Sequence, residues 1–308
     1  MVRRKVTIVG AGNVGSSVAH LLALKELADV VMLDVAEGVA KGKALDMYHS
    51  SPIEGFSTGV TGTGDYEDSA GSQVGVICAG SPRKPGMTRE DLLRVNASIV
   101  ASVAEKFAEN SPDAVIIVVT NPLDAMAYVA MRASGFSRRR VMGMAGVLDS
   151  ARLRSFIALE LGVSPADVEA MVLGSHGDSM VPLISRANVK GIPITSLLPG
   201  EKIDTLVERT RNAGAEVLSL LKTGSAYYAP ASSVVEMVEA VLQDQKKILP
   251  CSIYLQGEYG IRGCFLGVPV KLGSGGVEEV LEIDLTREEK KLLMSSAAAS
   301  KKLIESLD

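Results

Sequence analysis

Lys5-Val6-Thr7-Ile8-Val9-Gly10-Ala11-Gly12-Asn13-Val14-Gly15 decides the fold of this chain. A short apolar run is broken by three glycines spaced GxGxxG, and a helical pattern over Ser16–Ala28 follows. Glycine allows the tight turn and lets backbone approach a pyrophosphate closely, with the phosphates at the N-terminus of the following helix. Gly10, Ala11, Gly12, Asn13, Val14 and Gly15 are therefore candidates for a dinucleotide phosphate loop. The hexapeptide alone is a weak signal; its context strengthens it. A second apolar run, Val30–Leu33, closes on Asp34, 19 residues after Gly15. A carboxylate there accepts hydrogen bonds from the adenosine ribose hydroxyls and repels a 2′-phosphate, and Val35-Ala36-Glu37 offers no arginine to bind one. NAD is favoured over NADP, against the bland alternative of a glycine-rich turn beside a surface aspartate.

Outward from this stretch, Val74–Cys78, Ala114–Val119 and Val141–Met144 read as further strands, alternating with amphipathic segments such as Glu90–Ala108. Alternation of this kind predicts an α/β fold with a parallel sheet and helices on both faces, a Rossmann-type domain over residues 1–145. Uniformly apolar strands suit a sheet buried on both sides. Beyond residue 145 the pattern becomes a mixed α+β substrate domain over 146–308. Its expected helices are 149–161, 201–221, 226–243 and 286–307, and its expected strands 168–173, 252–256, 264–272 and 278–283. No repeat or low-complexity linker intervenes, so the lobes should be rigidly joined, with the site in the cleft between them.

The chain of 308 residues is 47% hydrophobic and 22% charged, as expected of a globular enzyme. Its formal charge of −4, without a basic block, argues against nucleic acid or an anionic membrane as partner. An anionic substrate must then be caught by a few local arginines. Cys78, Cys251 and Cys264 are scattered without a CxxC pair, which fits a reducing compartment and offers no metal cluster. The opening Met-Val-Arg-Arg-Lys leads to an apolar stretch too short for a signal sequence, and the most apolar segment is stopped by Thr120-Asn121-Pro122. The expectation is a cytoplasmic protein with no membrane segment.

Several polar residues stand out. Ala79 to Arg89 forms a loop flanked by glycine and proline, suited to moving as a unit. Thr88 and Asp91 resemble a capping box, which puts Arg89 in a first helical turn, where a cation opposes the helix dipole. A residue that breaks a local rule is a candidate for function, although Arg83, Lys84 and Arg89 also suit a solvated basic loop. Asp149 and Arg152, three apart, share a helix face. They read either as an N-cap with an intrahelical salt bridge or, with Arg152 in a first turn, as part of a carboxylate trap. Asn121, held extended by Pro122 at a strand's carboxyl end, can hold a hydroxyl or simply turn the chain. Of the three histidines, His20 and His49 read as structural and part-exposed. His176, in Leu173-Gly174-Ser175-His176-Gly177-Asp178, is crowded by small residues that admit a substrate, and imidazole suits reversible proton transfer.

Taken in order, GAGNVG, AGSPRKPGMTREDLL, VVTNPLD, GMAGVLDSARLR, VLGSHGDSMVP, TGSAYYAPA, QGEYG and GVPVKLG resemble the lactate dehydrogenase-like branch of malate dehydrogenases over nearly the whole chain. The resemblance implies His176 as proton acceptor in alcohol oxidation and Asp149 as its partner at the other imidazole nitrogen. Arg152 would clamp the 1-carboxylate and Arg89 polarise the ketone oxygen. Asn121 would contact substrate oxygen and nicotinamide, Val119 and Thr120 would lie beside the cofactor, and Asn96 on the cofactor side. It also implies a cis Asn121-Pro122 bond and a homo-oligomer, dimer or tetramer. Ser175 and Ser179 depart from the glycine and threonine often found in relatives.

Arg83 separates malate from lactate. Lactate-specific relatives carry an uncharged residue, often glutamine, at this position. A guanidinium enclosed in a dry site needs an anion, which the second carboxylate of oxaloacetate supplies and pyruvate does not. Ala226, small where lactate-using relatives tend to have threonine, would leave room for the longer acid. The expected substrate pair is therefore malate/oxaloacetate. The alternatives are a lactate or general 2-hydroxy acid dehydrogenase, a metal-dependent NAD glycosidase of the same fold, and a non-catalytic NAD sensor.

Overall fold

The computed structural model describes residues 3–82 and 86–307, with the backbone alone at Arg89. Six parallel strands form the first part of the main sheet: β1 (Lys5–Val9), β2 (Asp29–Leu33), β3 (Val60–Thr63), β4 (Val74–Ile77), β5 (Val115–Val118) and β6 (Val141–Gly143). The helices α1 (Asn13–Leu24), α2 (Glu37–Glu54), α3 (Arg89–Asn110) and α4 (Leu123–Ser134) connect them. β4 and β5 are buried at every residue, as a sheet covered on both faces requires. β1 pairs with both β2 and β4 in parallel. The winding therefore reverses at β1, and the loops leaving β1 and β4 part to open a crevice at their carboxyl ends.

After β6 come α5 (Gly146–Leu161), the two-residue strands β7 (Val168–Glu169), β8 (Val172–Leu173), β9 (Val181–Pro182), β10 (Asn188–Val189) and β11 (Ile192–Pro193), then α6 (Gly200–Leu221) and α7 (Tyr228–Leu242). The chain ends in the long strands β12 (Lys247–Gln256) and β13 (Arg262–Gly273), β14 (Gly276–Val280) and α8 (Arg287–Glu305). These last three strands do not make a separate sheet. They extend the first one antiparallel, in the order β14-β13-β12-β6-β5-β4-β1-β2-β3, with Ser252 opposite Gly143 at the join. One hydrophobic cluster runs from Val6 and Ile8 through Val234 and Val238 to Leu266 and Val268.

Several expectations shift: the strands expected over 252–256 and 278–283 are β12 (Lys247–Gln256) and β14 (Gly276–Val280). The strand expected over 168–173 is two: β7 pairs with β10 and β8 with β9, so the chain changes sheets at Ala170-Met171. The first helix begins at Asn13, directly on the glycine loop, and not at Ser16. The helix expected to open at Asp149 begins at Gly146, after Ala145, whose side chain makes no capping bond. A Cβ at Gly146 would lie 2.5 Å from the Val172 carbonyl oxygen, so close packing against β8 sets that start.

Candidate active site

The glycine loop is built by contact. Gly10 has φ +107°, and a Cβ there would lie 2.7 Å from the Ala79 nitrogen; a Cβ at Gly15 would lie 1.9 Å from the Gly10 oxygen. Both positions hold the turn against the end of β4 and the start of α1. Gly12 faces open space. Asp34 closes the loop from β2: Oδ2 accepts the Ala11 N–H at 2.7 Å and Oδ1 the Ala36 N–H at 2.9 Å. The Lys43 ammonium, from α2, donates to the Ala11 oxygen at 2.7 Å and the Ser16 hydroxyl at 3.0 Å. A cavity of about 330 Å³ lies here, walled by Gly10, Gly12, Asp34, Tyr66, Cys78 and Gly80.

Cys78 also borders a second cavity, of about 310 Å³, walled by Val14, Val119, Asn121, Arg152, His176 and Ala226 among others. The two lie end to end across the sheet's carboxyl edge. Between two residues of the second cavity's wall, His176 and Arg152, sits Asp149, 1% exposed. Its Oδ2 is 2.8 Å from His176 Nδ1, and its Oδ1 accepts from Arg152 Nη1 at 3.3 Å. Burial works against charging the imidazole. The charge and hydrogen bond of Asp149 oppose it, with Arg152 pulling down and Asp124 up, and His176 ends above its ordinary 6.5. The intrahelical pair read from the sequence is thus present, but its carboxylate also reaches out of the helix. Arg152 is in the second turn of α5, since the helix starts at Gly146. The dipole opposition expected of a first-turn cation therefore does not apply to it.

Of the remaining predicted residues, those that the structure describes fall on the same crevice. The Thr120 hydroxyl donates to the Ala79 oxygen at 2.7 Å, locking the end of β5 to that of β4. Asn96, 3% exposed, spends its amide on backbone: Oδ1 accepts the Ser81 N–H at 2.8 Å, and Nδ2 donates to the Asn121 oxygen at 2.7 Å. Asn121 precedes a cis Pro122. Thr88 caps α3 with the full box: its hydroxyl accepts the Asp91 N–H at 3.0 Å, and the Asp91 carboxylate accepts the Thr88 N–H at 2.9 Å. Arg89 is therefore the first residue of α3. Arg83, Lys84 and the Arg89 side chain lie outside the described residues.

A family model for the lactate/malate dehydrogenase NAD binding domain matches residues 4–143, and one for the lactate/malate dehydrogenase alpha/beta C-terminal domain matches 146–307. The chain belongs to the lactate/malate dehydrogenase family. A malate dehydrogenase of Heliobacterium modesticaldum is 56% identical over 304 residues, covering 99% of this chain and 98% of that one. A solved malate dehydrogenase from Salinibacter ruber is 53% identical with a TM-score of 0.94, covering 98% of this chain and 97% of that one. The lactate dehydrogenase of Cryptosporidium parvum, solved with lactic acid and nicotinamide adenine dinucleotide, is 45% identical with a TM-score of 0.96, covering 100% and 99%. Malate and lactate enzymes of the family thus share this backbone, and fold alone does not separate them.

Two polar residues of this lactate/malate dehydrogenase fold escaped the sequence reading. Lys43 is one; nothing in its helix marks it as pointing at the glycine loop. Asp124 is the other: buried, and bonded to the Ser175 hydroxyl, the His176 N–H and the Ser252 hydroxyl. In sequence it resembles an ordinary acid in the first turn of a helix, which the helix dipole favours.

Proposed function

We infer that the chain catalyses the reversible, NAD-dependent oxidation of (S)-malate to oxaloacetate. The observation that carries this is the single buried carboxylate of Asp149 bridging His176 and Arg152, which both line a cavity that abuts the glycine loop.

The residues present fit a dinucleotide. Gly12 leaves open space where a side chain would project, backbone at the start of α1 faces it, and Asp34 stands at the rim. Gly10 to Gly15 and Asp34 would hold the adenosine and pyrophosphate end; Val119, Thr120 and Asn121 would lie beside the nicotinamide, with Asn96 fixing Asn121 from behind. NAD, when bound, supplies the hydride acceptor.

The chain's own residues supply the rest. With Nδ1 engaged by Asp149, Nε2 is the imidazole nitrogen left for the substrate hydroxyl, and it takes the proton as malate is oxidised. Asp149 fixes the tautomer and stabilises the imidazolium. Arg152 pairs with the 1-carboxylate, which bidentate guanidinium geometry suits. Arg89 polarises the ketone oxygen. Arg83 takes the second carboxylate and leaves pyruvate disfavoured, by about 10²- to 10⁴-fold if the site is dry. Ala226, on the cavity wall, keeps room for that longer acid.

The same proposal places the enzyme in the cytoplasm as a dimer or tetramer. Free, largely buried cysteines support the reducing compartment. No helix among the described residues is long and apolar enough to cross a membrane. Exposed Leu45, Tyr48 and Ile53 on α2 support a partner subunit. The test is NADH oxidation with oxaloacetate beside pyruvate. A preference for oxaloacetate is expected. A preference for pyruvate would move the assignment to lactate, and no turnover despite NADH binding would remove it.

A further inference from the structure

Asp124 is a buried carboxylate outside the Asp149–His176–Arg152 set. It lies in the first turn of α4, 3% exposed, on the same strand-to-helix turn as Asn121. Its partners come from two other elements and are neutral donors. The Ser252 hydroxyl of β12 donates to Oδ1 at 2.5 Å; the Ser175 hydroxyl and the His176 main-chain N–H, at 3.2 Å, donate to Oδ2. An amide or a hydroxyl could answer much of this network without the cost of burying a charge. Ser175 is also held from the opposite side, its N–H donating to the Ser296 hydroxyl of α8 at 2.8 Å. The serine that departs from the glycine of many relatives thus links the histidine loop to α4 by its side chain and to α8 by its backbone.

We propose that Asp124 is a positioning residue for the proton transfer: through the Ser175 hydroxyl and the His176 main-chain N–H it sets the histidine in register with Asn121, and its charge joins that of Asp149 in stabilising the imidazolium. Asp149 fixes the ring, and Asp124 fixes the main chain from which the ring hangs. Two anchors leave little freedom for an imidazole that must meet a hydroxyl proton within hydrogen-bond reach. Facing His176 are Asp149 and Arg152 of α5 and Asp124 of α4. Facing Asp124 are His176 and the Cys264 thiol of β13, the latter beside Lys301 of α8. Burial pushes Asp124 upward, and its hydrogen bonds oppose this without cancelling it. Asp149 contributes more than Asp124 to the upward shift of His176.

The inference rests on the proton-transfer role of His176, and the experiment separates the two. Full-length wild type, Asp124→Asn and Ser175→Ala are assayed for oxaloacetate reduction and NADH affinity. The His176 imidazole is titrated by NMR, its signals identified among three histidines by their loss in His176→Asn. Failure of wild type to turn over would refute the catalytic reading alone, and the NMR titration would still report on Asp124. In Asp124→Asn the expected result is a fall in kcat of about 10- to 100-fold with NADH affinity within about twofold. The imidazole pKa should drop by about half a unit or more. In Ser175→Ala, which keeps the carboxylate, kcat should fall by about 3- to 10-fold with little change in the imidazole pKa. An unmoved imidazole pKa in Asp124→Asn, or losses of turnover and NADH affinity in equal measure, would overturn the proposal. Should Asp124→Asn fail to fold, Ser175→Ala with wild-type kcat would overturn it.

Discussion

Replacing Asp149 by asparagine removes one charge from the centre of the site and leaves its volume almost unchanged. The carboxylate is 2.8 Å from His176 Nδ1 and 3.3 Å from Arg152 Nη1. Opposite unit charges about 4 Å apart at an effective dielectric near 20 attract by roughly 4 kcal/mol. At 1.36 kcal/mol per unit this sets a ceiling of about 3 pKa units on the imidazole. Arg152, losing its neutralising partner, pushes the same way, while Asp124 remains to oppose it. A fall of about 2 units is the expected outcome. The sign then fixes the phenotype. Ketone reduction needs the protonated imidazole as donor, and the fall in pKa cuts the fraction that still carries the proton at neutral pH by up to about two orders of magnitude. An amide can also donate to Nδ1 and leave the proton on the wrong nitrogen for malate oxidation. Both directions should lose about 10²- to 10⁴-fold in kcat, with NADH affinity nearly unchanged. The assay is kcat/KM for oxaloacetate across a pH series at saturating NADH, with NADH fluorescence titration as control. A profile whose inflection stays at the wild-type pH, or a kcat within about threefold of wild type, would refute the electrostatic reasoning.

Arg83→Gln should lower kcat/KM for oxaloacetate by about 10²-fold or more and raise that for pyruvate, because the second carboxylate loses its partner; an unchanged ratio of the two removes Arg83 from specificity. His176→Asn should bind NADH and lose turnover. The same variant checks the linkage. A histidine whose folded pKa exceeds its unfolded value stabilises the fold below the unfolded 6.5 and loses that contribution as pH rises through the folded pKa. The urea midpoint of wild type should therefore fall more than that of His176→Asn between about pH 6 and pH 8, and parallel curves would contradict the upward shift. Gly15→Ala puts a carbon where the Gly10 oxygen stands, 1.9 Å away. NADH affinity should weaken by about 10-fold or more as the loop is pushed off the end of β4, and wild-type affinity would count against the packing role of that glycine.

The glycine turn, the place of Asp34 beside it and the parallel strands were legible because each is local: glycine spacing, a strand of five residues, an acid at the next strand's end. The Thr88–Asp91 box was legible for the same reason. Asp149 was only half legible. Its spacing to Arg152 showed a shared face, but its second partner, His176, is 27 residues further on. The start of α5 was misplaced because no capping side chain marks it; contact between Gly146 and β8 does. Asp124 was not singled out because its bonds to Ser175 and Ser252 span 51 and 128 residues. The change of sheets inside 168–173 was hidden for a related reason, since an apolar run does not say which strand it will pair with.

The pairing of Ser252 with Gly143 bears on how such a chain can be cut or grafted. β6 has only three residues, all buried, and its outer edge is covered by β12 from more than a hundred positions later. A fragment ending soon after Met144 would carry a bare strand edge and an uncovered apolar face, both of which invite self-association. The halves matched by the two family models therefore cannot be exchanged between homologues as interchangeable modules; chimaeras should tolerate swapped loops at the crevice far better than a crossover at residue 145.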